Sequence, residues 1–216
     1  MTFLDWFAMH GPSYLDGLAQ TAFIALWASF GALLLGIALT LLRLAGGRWG
    51  AAFVGGYVQV LRNIPVLLPI YLIYFGLPTL GLFWSAVVCG GIALVMQNAA
   101  FIAEIFRGSI KAIDRVQFDA TRSLGLSPWT TFRRVTLPQL LVYSLPALRN
   151  QAVLLLKDTS LLSVITVAEV TMQAKVLTER TASAYHAFLV AALLYLAIVA
   201  LSEMGFRIAE RRVRWR

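Results

Sequence analysis

Long apolar runs alternate with short polar ones along this chain. Residues 17–42, GLAQTAFIALWASFGALLLGIALTLL, carry no charge. A bilayer core takes about 20 apolar residues in a helix, so this stretch predicts a first membrane span, closed by Arg43 and Arg48. GGRWG (46–50) reads as a polar turn. No charge appears between Arg62 and Glu104, an interval too long for one helix. FGLPTLG (75–81) breaks it, because proline fixes the backbone and glycine frees it. The pattern therefore predicts a second span over 53–76 and a third over 83–106. A fourth begins near Leu137, although Arg149 and Lys157 interrupt it. Residues 181–202 are uncharged and predict a fifth, followed by the basic tail RIAERRVRWR. The fold class expected is an all-α integral membrane protein of about five transmembrane helices.

Between the third and fourth spans lies a polar, basic stretch, FDATRSLGLSPWTTFRRVTLPQ (118–139). From Asp114 to Leu124 its pattern is helical, with Val116, Ala120 and Leu124 on one narrow apolar face. Arg115 and Arg122 stand a turn either side of Asp119, in reach of ion pairs. Gly125 falls where a left-handed C-cap is wanted. Ser127-Pro128 reads as N-cap and first residue of a second short helix. Pro138 is expected to close the segment, because its ring and missing N–H stop or kink a helix. Helix, tight corner, helix is the expectation, presenting Phe118, Trp129 and Phe132 among arginines. Rigid aromatics beside arginine are what protein interfaces use.

Composition supports the membrane reading. The 216 residues are 60% hydrophobic and 13% charged, where soluble domains sit near half apolar and a quarter charged. The net charge of +8 would point to nucleic acid in a soluble protein. Here the basic residues flank the apolar runs, which membrane orientation explains. Arg43 and Arg48 follow the first span. Arg107, Lys111, Arg115, Arg122, Arg133 and Arg134 follow the third, and Arg207, Arg211, Arg212, Arg214 and Arg216 the fifth. The other side receives the N-terminus, the 77–82 turn and a 160–180 loop with Lys175 and Arg180. The positive-inside rule then places the N-terminus outside and the C-terminus in the cytoplasm. The first twenty residues hold Asp5 and Asp16 but no Lys or Arg, so they lack a signal peptide's basic region. Cys89 is the one cysteine, which excludes a disulfide within the chain.

Polar residues inside spans are costly, and are paired or functional. Arg62 and Glu104 read either as snorkelling at the interface or as paired. Lys157-Asp158 reads either as a neutralised pair or as part of a polar path. Candidates for a zwitterion path are Asn63, Gln97, Asn98, Asn150, Asp158, Thr159 and Ser160, although buried amides also simply bond neighbouring helices. Glu169 reads as a capping or contact residue. His10 and His186 are isolated, and Trp6, Trp49 and Trp84 near span ends read as interface anchors. There is no G-x-x-x-x-G-K-[ST] loop, so the chain is not an ATPase. G-x-S-x-G, H-E-x-x-H and Cys/His clusters are absent too. No catalytic residue, metal site or cofactor is expected.

The polar segment resembles the cytoplasmic "EAA" loop of ABC-importer permeases, an acid-Ala-Ala triplet followed by Gly and a hydrophobic-x-Leu-Pro ending. Here these are Asp119-Ala120-Thr121, Gly125 and Val135-Thr136-Leu137-Pro138. The chain is also similar to the polar-amino-acid branch (histidine, glutamine or arginine type) in RNIPVLLPIYLIYFGLP (62–78), FIAEIFRGSIKAI (101–113), RSLGLSPW (122–129) and LPALRNQAVLLLKDTSLLSVI (145–165). It departs in having Val116-Gln117 for Gly-Gln, Asp119 for Glu and Thr121 for Ala. The resemblance implies a single permease domain, 1–216, with a coupling loop over about 108–137. Gln117, Phe118, Asp119, Ala120, Thr121, Arg122, Leu124, Gly125, Trp129, Phe132 and Pro138 would couple it to two ATPase subunits, which bind the ATP and Mg. It further implies a second permease, identical or similar, a solute-binding protein outside, and a bacterial inner membrane; lipids, not nucleic acid, surround it. Rival expectations are a gradient-driven transporter or channel and a non-transporting scaffold. The first needs acids at mid-membrane, and the central parts of spans one, three and five carry none.

Overall fold

The computed structural model describes residues 3–214, with side chains from 6 to 208. Arg216 and the side chains of Asp5, Arg211, Arg212 and Arg214 lie outside the described residues. Among the described residues the chain is all-helical, without a strand. The order is α1 (Phe3–Ala45), α2 (Gly47–Asn63), α3 (Leu67–Gly76), α4 (Ala86–Lys111), α5 (Arg115–Ser123), α6 (Pro128–Thr131), α7 (Leu137–Asp158), α8 (Val170–Thr181) and α9 (Ala184–Arg214). By length and composition α1, α4 and α9 are able to cross a membrane, and α2 with α3 makes a fourth candidate if a bent pair counts as one span. The 22 residues of α7 reach about 33 Å, but Arg149 and Lys157 lower its apolarity.

Small residues draw α1 onto α4. Buried Ala25, Ala28 and Ala32 recur at helical spacing along α1. A Cβ added to Gly36 would stand 2.6 Å from Ile102, and one on Gly91 would stand 1.8 Å from Trp27. Contacts Trp27–Gly91, Gly31–Val95 and Gly36–Ile102 rise together along both helices, so the two run parallel. Without a hydrophobic drive between helices in lipid, such close seating of side chains on glycine is what packing energy rests on.

The second span is not the continuous helix expected over 53–76. It breaks between Asn63 and Leu67, and the halves meet at 103°. The cause is local. Ile64 is extended (φ −105°, ψ 144°), as a residue before proline prefers. Pro65 lacks the N–H that the carbonyl of Leu61 would accept in a continuous helix. Gln97 of α4 makes good the loss, its Nε2 donating to Leu61 O at 3.0 Å and Ile64 O at 2.9 Å. The turn expected at 75–81 is present as a 3-10 turn, Leu77–Leu80, ended by Gly81 at φ +79°.

The expected 160–180 loop is instead ordered. A 3-10 turn, Thr159–Ile165, leads into α8. Val170, Ala174 and Leu177 of α8 pack on Trp6 and Tyr14 of α1 and on Ala187, Val190 and Ala191 of α9. Tyr14 donates to the carbonyl of Ala187 at 2.7 Å. Trp6 is therefore a core residue, not an interface anchor, whereas Trp49 and Trp84 are exposed.

Gln97→Leu keeps the bulk of the side chain but removes both donors at the bend. Two carbonyls left unpaired should cost about 1–3 kcal/mol each. Thermal unfolding in detergent should begin at a lower temperature than for the parent chain; an unchanged melt would mean that the bend does not depend on this amide.

Candidate functional site

The segment between α4 and α7 folds as a stapled elbow. Asp114 caps α5, its Oδ1 accepting from Val116 N at 3.0 Å. At the other end of α5 the amide of Leu126 donates to Thr121 O and that of Gly125 to Arg122 O, both at 3.0 Å. That pair of bonds is the Schellman arrangement, with Gly125 in the left-handed region at φ +65°. Ser127 then caps α6 by accepting from Thr130 N at 3.2 Å, and Pro128 takes the first helical position, where its missing N–H costs nothing.

Pro138 does not close the segment. From Pro128 the helix runs on through a π turn, Phe132–Thr136, directly into α7. The amide of Leu137 reaches back to Phe132 O, one residue further than in an α-helix. This widening makes room where the Pro138 ring would meet the carbonyl of Arg134. Gln139 Nε2 supplements the opened ladder at Val135 O, 3.1 Å away.

The elbow turns apolar groups outward. Val116, Leu124 and Trp129 are 68%, 74% and 68% exposed. Trp129 stacks on Phe132 with ring centroids 5.7 Å apart. Phe118 is half-buried, less presented than expected, and Thr121 is buried with its hydroxyl on Phe118 O. Gln117, Asp119, Ala120 and Arg122 are exposed, and Arg122 pairs with Asp119 at 3.4 Å.

The polar residues of the spans fall into three separate places. At the bend, Asn63 donates to Gln59 O at 2.6 Å; Gln97 bonds the broken backbone, and its Oε1 is buried with no partner among the described residues. Further along α4, Asn98 donates to Leu94 O and accepts from Gln151 of α7 at 2.6 Å. This pair borders a cavity of about 330 Å³ lined also by Ser29, Leu33, Leu148 and Phe206. Near the end of α7, Asp158 and Ser160 are half-buried and Thr159 is buried on Leu156 O. No ion pair joins Lys157 to Asp158 among the described residues, so the neutralised pair does not form. Asn150 is exposed on α7. Arg62 and Glu104 are paired, and two further arginines join them. Arg107 donates to both Glu104 oxygens, while Arg43 and Arg62 stand 3.9 and 3.8 Å away.

Sequence reasoning missed Gln151, whose amide partner lies 53 positions away, and the surroundings of Glu169. That carboxylate is the N-cap of α8, accepting from Thr171 N at 2.8 Å, Met172 N at 2.7 Å and Tyr195 Oη at 2.6 Å. Lys175 bonds Ser163 nearby at 2.9 Å. Burial pushes the Glu169 carboxyl above the usual range, against the lowering effect of its donors.

Residues 17–215 match the family model of binding-protein-dependent transport system inner membrane components. The chain is 34% identical over 204 residues to the probable amino-acid ABC transporter permease protein YckA of Bacillus subtilis (strain 168), covering 93% of this chain and 89% of that one. It is 33% identical to the arginine ABC transporter permease protein ArtQ of Haemophilus influenzae (strain ATCC 51907 / DSM 11121 / KW20 / Rd), over 92% of this chain and 94% of that one. A crystal structure of an amino acid ABC transporter with histidines superposes with a TM-score of 0.91 at 30% identity, covering 98% of this chain and 99% of that chain.

Two outcomes are expected. No atom lies within 4 Å of a Cβ built on Gly125, so Gly125→Val meets only backbone strain, about 1–2 kcal/mol or more for a branched residue. Amide exchange at 125–126 should accelerate while the global melt holds; exchange at the parent rate would contradict this reading of the turn. For Glu169 the folded carboxyl binds its proton more tightly than the unfolded one. Its contribution is therefore fullest below the unfolded pKa and is lost as pH rises through the raised folded value. As pH rises above the ordinary carboxyl range, melting temperatures should decline less in Glu169→Gln than in the parent chain.

Proposed function

Because the chain belongs to the binding-protein-dependent transport system inner membrane components, we propose that it forms half of the membrane gate of an ATP-binding-cassette importer for polar amino acids, driven through its 114–138 elbow. The observation that carries the coupling role is the elbow itself. A polar segment outside the candidate spans is capped at both short helices, yet leaves Val116, Leu124 and Trp129 uncovered. Rigid apolar side chains held in water fit a partner surface. Gln117, Asp119, Ala120 and Arg122 would rim that contact; Thr121, Gly125 and Pro138 would hold its shape.

In this reading two ATPase subunits bind and hydrolyse Mg-ATP, and this chain catalyses no covalent chemistry. ATP closes the ATPases, and the docked elbow moves with them. A second permease, identical or similar, supplies the other half of the path, and a solute-binding protein delivers substrate outside. Five crossings, by α1, α2–α3, α4, α7 and α9, put the N-terminus outside and the elbow and C-terminus in the cytoplasm, as the basic residues favour. Alternating access then exposes a path between two permeases to one side at a time. Asn63, Gln97, Asn98, Asn150, Asp158, Thr159 and Ser160 are the candidates to meet a zwitterion along it. The buried, unpartnered Oε1 of Gln97 supports Gln97 most directly, as an acceptor for an ammonium group. A gradient-driven mechanism finds no support in Glu104, which is held by arginines rather than free to relay protons.

The test is uptake by proteoliposomes containing the co-purified assembly. Trp129→Ala is expected to weaken ATPase retention by about tenfold or more, as truncation of an interface anchor does, and to reduce uptake with it. Asp119→Lys should do the same with normal membrane insertion. Uptake persisting after ATP depletion would sink the importer reading; loss of the ATPase with uptake unchanged would point to a scaffold.

A further inference from the structure

One carboxylate faces three guanidinium groups where α1, α2 and α4 meet. Glu104 is saturated by Arg107, which donates from Nε at 2.8 Å and from Nη2. Arg43 and Arg62 approach it at 3.9 and 3.8 Å. Both distances are too long for hydrogen bonds, so their donors remain unspent on Glu104. Three positive charges against one negative leave the cluster at +2. Arg62 also lies over an aromatic face, its guanidinium carbon 5.2 Å from the centroid of the Phe101 ring. A cation–π contact of this kind uses none of the guanidinium's N–H donors.

The cluster's place argues for its ligand. Arg43 lies in the last turn of α1 and Arg62 in the last turn of α2. Between them the α1–α2 corner exposes Trp49, with Arg48 stacked 5.3 Å above its ring. Exposed tryptophan beside arginine at a helix end is the signature of the headgroup level. Three guanidinium groups with a net charge of +2 match phosphate, which accepts bidentate bonds from guanidinium. We propose that Arg43, Arg62 and Arg107 form a binding site for an anionic phosphate group, with Glu104 offsetting one of their three charges. The ligand chemistry is a phosphate bearing one negative charge or more, from an acidic phospholipid headgroup or from free phosphate in solution. The site is independent of the transport reading, since it rests on the cluster alone.

Native mass spectrometry of the full chain decides it, with phosphatidylglycerol against phosphatidylcholine as probes. The parent chain should retain phosphatidylglycerol in preference. Arg43→Gln with Arg62→Gln leaves Glu104 and Arg107 as a neutral pair. Retention should fall about tenfold or more, the loss expected when two charge-assisted contacts go. Glu104→Gln raises the charge, and should retain the acidic lipid at least as well as the parent, which separates loss of charge from loss of fold. Displacement of phosphatidylglycerol by inorganic phosphate would support the site and assign it to soluble phosphate; resistance to displacement would assign it to lipid. Equal retention of both lipids by the parent chain, or parent-level retention by the double variant, would overturn the proposal. So would a double variant that keeps its lipid and instead loses a co-purifying protein partner.

Discussion

A buried backbone carbonyl that has lost its donor needs another, and the Gln97 amide answers that constraint at the break between α2 and α3. Pro65 takes away the donor for Leu61 O, and the extended Ile64 turns its own carbonyl out of the ladder. One side-chain nitrogen serves both. Because the chain is free to turn by 103° at this point, α2 lies across α1 and α4 instead of continuing into α3. Val54 and Val58 are thereby buried on Leu39, Ala99, Ala100 and Ala103, and Tyr57 reaches the carbonyl of Met96 at 2.7 Å. The same turn lets Arg62 come to Glu104. The Asn98–Gln151 pair begins one residue further along α4, so neighbouring amides of one helix fix both α2 and α7.

The elbow is held differently, by local hydrogen bonds: side-chain caps at Asp114 and Ser127 and the Schellman bonds at Gly125. The Gly125 and Ser127-Pro128 signals were legible in the sequence because each is encoded within about five residues and carries its meaning without knowledge of anything distant; the Asp114 cap is a finding of the structure. Pro138 misled for an instructive reason. Proline inside a helix is costly when the ladder is α, but a π turn just before it removes the clash, and nothing in the hydrophobic pattern announces a π turn.

The bend and α8 were harder to read because their stabilising partners are far away in the chain. Ile64-Pro65 did hold the local clue, yet the apolar run around it fitted one straight span equally well. What decides between bend and kink is Gln97, 33 positions from Ile64. Likewise Val170, Ala174 and Leu177 have helical spacing, but Lys175, Glu179 and Arg180 among them looked like an exposed loop. Trp6 and Tyr14 from the other end of the chain, with Ala187, Val190 and Ala191 of α9, make that face a core. The candidate path residues were legible as a set of polar groups, not as an arrangement. Most of them bond within their own helix or to the adjoining one, and that geometry is invisible to composition.

Packing is uneven across the molecule, and this bears on what is able to move. Helices α1 and α4 meet where glycines seat the side chains of Trp27, Val95 and Ile102 tightly, and Glu104 gathers arginines from α1, α2 and α4 at one end. These three helices form one block. The elbow, by contrast, is continuous through the π turn with α7. Where α7 meets the block, the contact includes an amide pair beside a cavity of about 330 Å³. Close-packed surfaces resist sliding because every displacement forfeits contacts, whereas the lining of a void has fewer to lose. If the elbow is moved as proposed, the displacement would pass along a continuous helix to this seam, and the Asn98–Gln151 bond sits there as the polar contact that motion of α7 would have to remake.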